Sequence, residues 1–142
     1  MIESIAIILV IFSILLANFW FWFYWMEKTY CQRFYEQGLY DYEQEKYANA
    51  KTSFLKVEAK NPAYADLVQY LGNTFYKLEE YSNAKKYFEQ MLKGATKDFT
   101  LLYSMGFILQ NLKEYSKAEE YYKKASEVDA DSLDCTLNLA IS

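Results

Sequence analysis

The sequence predicts an all-α protein in two parts: one membrane-crossing helix, then an α-solenoid of about three helical hairpins with a partial fourth first helix. Three observations carry that prediction. The 142 residues hold one proline and four glycines, an uncharged apolar run lies near the N-terminus, and side chains recur every 34 residues. So few helix breakers in a chain rich in Tyr, Ala, Leu, Glu and Lys favour helix almost throughout.

The apolar run comes first. From Ser4 to Met26 there is no charged side chain, and only Ser4, Ser13 and Asn18 are polar among Ile, Leu, Val, Phe and Trp. As a helix this stretch is about 34 Å long, enough for a hydrocarbon core of roughly 30 Å. Residues 1–27 are therefore expected to form a transmembrane anchor. A cleaved signal peptide would need a basic start, a shorter core and a small-residue cleavage site. Here Glu3 stands at the start, and the exit reads Trp20-Phe21-Trp22-Phe23-Tyr24-Trp25. Those rings suit the headgroup boundary. Asn18 and the Ser13/Ala17 pair could support helix pairing in the bilayer. Basic residues are absent before the run, whereas Lys28 and Arg33 follow it, which places the remainder in the cytoplasm.

The repeat is the second element. Gly38, Gly72 and Gly106 lie 34 residues apart, and three further registers keep step with them: Tyr47/Tyr81/Tyr115, Ala50/Ala84/Ala118 and Phe54/Phe88/Tyr122. Each copy divides into two apolar-periodic segments of helical length with a short polar link. In the second copy these are Tyr64–Lys77 and Tyr81–Lys93. Gly72 and Ala84 are expected on facing surfaces where a larger side chain would push the helices apart, while Tyr81 and Phe88 fill space between neighbours. Asn61-Pro62 is expected to open the second copy, Gly94 to close its second helix, and Asp98 to cap the next.

The small, aromatic, Ala, aromatic pattern at this period resembles the tetratricopeptide repeat (TPR) family. With the recurring glycine at position 8, the copies run 31–64, 65–98 and 99–132. Pro62 falls where the family often has proline, whereas Thr96 and Ala130 stand at the later equivalents. Residues 133–142 read as a partial fourth repeat or cap helix, and the chain as either complete or a fragment of something longer. The resemblance implies that first helices line a concave surface holding an extended or helical peptide. Positions 5, 9 and 12 then supply Tyr35, Leu39 and Tyr42, then Gln69, Asn73 and Tyr76, then Tyr103, Phe107 and Gln110. Family members that clamp a C-terminal carboxylate use Lys, Arg and Asn at several such positions. Only Asn73 matches, so an apolar or aromatic-rich segment is the expected ligand, with Asn73 bonding its backbone.

Composition excludes much else. The chain has no histidine, so a Ser-His-Asp triad, a Cys-His pair or a His-based zinc site cannot be built from it alone. No catalytic residue, metal, cofactor or small-molecule substrate is expected. Beyond Glu3, 15 basic residues face 18 acidic ones, which gives nucleic acid no electrostatic footprint. Cys31 and Cys135 are expected to be free thiols. The charge-rich stretches Glu79-Glu80, Lys85-Lys86, Glu119-Glu120 and Lys123-Lys124 are spaced for pairing along solvated helix faces. The functional expectation is a membrane-anchored interaction scaffold or adaptor that supports assembly or quality control of a membrane complex. Its alternatives are an extracytoplasmic secretion or assembly factor, or the accessory part of a longer enzyme.

Overall fold

Six helices follow one another: α1 (Ile2–Glu43), α2 (Tyr47–Glu58), α3 (Leu67–Lys77), α4 (Tyr81–Leu92), α5 (Phe99–Asn111) and α6 (Tyr115–Val128). The computed structural model describes the backbone of residues 2–95 and 97–129, and side chains from Leu9 onward. Residues 133–142, Thr96, Ala130 and Cys135 lie outside the described residues.

Helix α1 runs unbroken for 42 residues, so the apolar run and the first helix of the first hairpin are one element. Nothing interrupts it, because the sequence has no Pro or Gly before Gly38. Its large apolar side chains from Leu9 to Met26 are all exposed, between 44% at Met26 and 71% at Phe21. Two polar members each pair a donor within their own helix: Ser13 Oγ donates to the Val10 carbonyl at 2.7 Å and Asn18 Nδ2 to that of Ile14 at 2.8 Å.

Past residue 30, α1 pairs with α2, and α3/α4 and α5/α6 repeat the arrangement. Each hairpin packs on the next through α2 against α3 and α4 against α5. The core is one row of apolar side chains through all three hairpins, including Phe54, Val57, Leu71, Phe88, Met105, Ile108 and Tyr122. Recurring glycines make the close approach possible. A Cβ on Gly38 would sit 2.5 Å from Phe54 Cε1, and one on Gly106 would sit 2.7 Å from Tyr122 Cδ1. At Gly72 the nearest atom is the flexible end of Met91, at 3.0 Å. Ala84 is fully buried, as are Ala50 and Ala118.

The links depart from the sequence reading in three places. Each hairpin turn is closed by a left-handed residue, Glu45 (φ 57°), Glu79 (φ 59°) and Lys113 (φ 62°), at the same 34-residue step. The backbone bonds are those of a Schellman closure: Lys46 N–H donates to Asp41 O at 2.8 Å and Glu45 N–H to Tyr42 O at 3.0 Å. Glu80/Phe75 and Glu114/Leu109 reproduce the first bond, both at 2.9 Å. Between hairpins one and two, Asn61 Oδ1 instead accepts from Ala63 N–H at 3.2 Å, an Asx-type turn that delays α3 to Leu67 instead of Tyr64. Gly94 follows a helix that ends at Leu92 and has no positive φ, so it is not a left-handed cap. Asp98 does cap α5, accepting from Leu101 N–H at 3.0 Å.

Charges also behave differently from the expectation of local pairs. Lys51 Nζ reaches Glu80 Oε1 at 2.6 Å and Lys85 Nζ reaches Glu114 Oε1 at 2.7 Å, each joining one hairpin to the next across 29 residues. Tyr87 Oη donates to the Glu58 carboxylate at 3.0 Å over the same separation. These bonds hold the stack in register. Partly exposed as they are, each ion pair contributes about 0.5 kcal/mol.

Candidate peptide-binding surface

All nine sequence-predicted site residues fall on first helices: Tyr35, Leu39 and Tyr42 on α1, Gln69, Asn73 and Tyr76 on α3, and Tyr103, Phe107 and Gln110 on α5. Gln69 is exposed, and the other eight are half-buried.

The rings gather at the hairpin boundaries. Tyr35 meets Tyr64 at 5.1 Å and Tyr70 at 6.0 Å between centroids, both edge-on, and Tyr42 meets Tyr70 at 5.6 Å. One boundary further on, Tyr76 lies 5.7 Å from Phe107 and 6.4 Å from Tyr81, and Tyr81 lies 6.1 Å from Phe107. Tyr103 stands against Phe99 at 5.9 Å and Tyr122 at 5.4 Å. Offset and edge-to-face pairs at these distances each contribute about 0.5–1.5 kcal/mol beyond burial. Tyr81 thus fills space between neighbours, as its periodicity implies.

Burial, more than any neighbouring charge, pushes the phenols of Tyr35, Tyr42 and Tyr76 above the ordinary tyrosine range. They stay protonated and present neutral donors. Gln110 Oε1 accepts from Tyr122 Oη at 2.9 Å and is thereby oriented. The Asn73 amide makes no side-chain hydrogen bond among the described residues, although it lies half-buried in the middle of the row.

Sequence reasoning missed Tyr70, which bridges the first two first helices. Its equivalents are Glu36 and Ser104, so no register marked it. It also missed Tyr64, which the Asx turn places against Tyr35. Chemically the surface offers ring edges, neutral hydroxyls and two unengaged amides, the exposed Gln69 and the half-buried Asn73. Among the described residues no group of three or more His, Cys, Asp and Glu is placed to hold a metal. Cys31 is buried and unpaired, and burial, assisted by Glu27, pushes its thiol up.

Stacked antiparallel helix pairs with small-residue contacts and 34-residue steps define a helical-hairpin repeat protein. Residues 66–93 and 99–132 match the tetratricopeptide repeat model. Solved structures agree in fold. The first TPR of Spaghetti (RPAP3), bound to the HSP90 peptide SRMEEVD, is 16% identical with a TM-score of 0.63, the match covering 78% of this chain and 88% of that one. MamA from Desulfovibrio magneticus RS-1 is 22% identical with a TM-score of 0.69, over 78% of this chain and 63% of its own. The second TPR domain of human RPAP3, in complex with the HSP70 peptide SGPTIEEVD, is 15% identical with a TM-score of 0.63, over 81% and 96%. No curated protein matches in sequence.

Proposed function

We propose that this chain is a membrane-anchored adaptor whose first-helix surface holds an apolar or aromatic-rich peptide segment of a membrane-associated partner, in support of assembly or quality control of a membrane complex. The observation that carries the reading is the Asn73 amide, unengaged and half-buried between two aromatic clusters. An extended peptide presents backbone groups at regular intervals, and one amide bonding such a group, flanked by rings for alternate side chains, is sufficient recognition chemistry. Binding to acidic chaperone tails, as in the RPAP3 domains, is disfavoured by the lack of Lys and Arg at the inward positions.

The exposed apolar stretch of α1 supports the anchor, since its 15 large apolar side chains from Leu9 to Met26 would be a severe liability in water and in lipid are at their lowest free energy. Lys28 and Arg33 beyond it support a cytoplasmic repeat domain. Crosslinking in intact membranes through a photoreactive residue at position 73 or 107, followed by mass spectrometry, identifies the partner. The groove reading is lost if Asn73→Ala plus Phe107→Ala retains every crosslinked or co-purified partner. Reporters fused after Ser142 and active on one side of the membrane decide topology.

A further inference from the structure

Where α1 leaves its apolar stretch, the returning end of the first hairpin closes a notch against it. Tyr24, Glu27, Lys28 and Cys31 form one stripe of α1 at helical spacing, and Lys60, Asn61 and Tyr64 come back to face them, enclosing a cavity of about 290 Å³. Lys56, one turn before, lies with its Nζ 4.4 Å from the Phe34 ring centroid, which fixes the end of α2 beside this part of α1. Glu27 and Lys60 both line the cavity beside the buried Cys31. Lys28 and Lys60 are exposed and have no ion-pair partner among the described residues.

The notch carries charged and amide groups, whereas its upper wall does not. Tyr24 continues directly into the exposed apolar face, and the same stripe runs back to Ala17 and Ser13, the smallest side chains between Leu9 and Met26. An occupant matching both halves has an anionic head and a long apolar tail. Glu27 on the rim leaves the notch at net +1, which suits a singly charged head over a polyanion. From this juxtaposition the geometry points to a binding site for one anionic diacyl phospholipid: its phosphate lies between Lys28 and Lys60, Asn61 and the phenol of Tyr64 are within the same wall, and an acyl chain lies along α1. The inference rests on the membrane reading above and adds a specific ligand to it.

The full chain is reconstituted into nanodiscs of equal parts phosphatidylglycerol and phosphatidylcholine, transferred to mild detergent, and examined by native mass spectrometry for retained lipid. Wild type is expected to favour phosphatidylglycerol roughly tenfold or more, from two lysines near an anionic head. Lys28→Gln plus Lys60→Gln abolishes the preference. Lys46→Gln plus Lys113→Gln, in the turns at the far end of the hairpins, keeps it. Equal retention of both lipids by wild type, or equal loss in the two double variants, overturns the site. Displacement of bound lipid by excess inorganic phosphate also overturns it, assigning the notch to the free ion. Flotation with phosphatidylcholine-only vesicles reads insertion alone. A wild type that floats without headgroup preference refutes the notch only, whereas one that does not float removes the membrane reading and the notch with it.

Discussion

Replacing the recurring glycines by alanine sets two effects of similar size against each other. In a helix interior Gly→Ala gains about 1 kcal/mol from backbone entropy and propensity. Against this stands the room available to a methyl group. At Gly106 the new Cβ would lie 2.7 Å from the Tyr122 ring, which is fully buried and tied through its hydroxyl to Gln110, so it cannot withdraw cheaply. At Gly38 the distance is 2.5 Å to Phe54, likewise buried and stacked on Tyr70 at 5.5 Å. Overpacking of that kind costs about 1–3 kcal/mol. At Gly72 the obstacles are Met91 Cε at 3.0 Å, a terminal atom on a flexible chain, and Tyr87 Cβ at 3.1 Å, which is held to the α4 backbone but need give only a few tenths of an ångström. Gly38→Ala and Gly106→Ala should therefore lose about 1 kcal/mol net or more, and Gly72→Ala should lose less and stay close to wild type. For a repeat unit of this size that difference is about 4–8 °C in Tm per kcal/mol. Circular dichroism melts of the full chain in one detergent measure it. Three variants shifting together, or Gly106→Ala melting at or above wild type, would refute the packing argument.

Three further outcomes follow from the turns and the titrating groups. Glu79→Gly and Lys113→Gly should each raise the urea midpoint by an amount worth about 0.5–1 kcal/mol, because a left-handed Cβ is removed while the Schellman bonds remain. Glu80 is held below the usual carboxylate range by the hydrogen bond from Lys51, and Glu114 by those from Lys117 and then Lys85. Their contribution is present above the unfolded value of about 4.3 and is lost as pH falls through the folded values. Acid melts should thus show Lys51→Met plus Lys85→Met losing less on acidification than wild type. Tyr35, Tyr42, Tyr76, Tyr81 and Tyr87 are all raised, chiefly by burial, and Tyr87 further by its bond to Glu58. Stability from these groups is present below about pH 10 and is lost as pH rises through the folded values. Tyrosinate absorbance should therefore show a late phase that coincides with loss of helical ellipticity. Tyr87→Phe should remove part of that phase.

What the sequence made legible was whatever repeats in residue type. Gly38/Gly72/Gly106 against Phe54/Phe88/Tyr122 could be read as a packing contact because both partners keep the 34-residue step. The left-handed turn residues keep the same step, but Glu and Lys are poor signals for that conformation, so backbone geometry alone reveals them. The ion pairs join neighbouring copies, and a reading confined to single helices finds the charges and misses their partners. Of the candidate surface, the placement of the nine positions on first helices was legible. Their aromatic neighbours Tyr64 and Tyr70 were not, since one depends on a non-repeating turn and the other on a non-repeating position. The notch at Lys60 required knowing that α2 returns beside Tyr24, a tertiary fact without local signature.

The unbroken course of α1 gives the molecule a stiff lever. With no joint between its exposed apolar stretch and Glu43, an inclination forced on that stretch passes along the helix to the hairpins. The stretch beyond Met26 is about 25 Å long, so a change of about 10° displaces its far end by roughly 4 Å. On the proposed membrane reading, a thicker or thinner bilayer re-aims the aromatic row, so membrane thickness becomes a variable that the proposed surface senses.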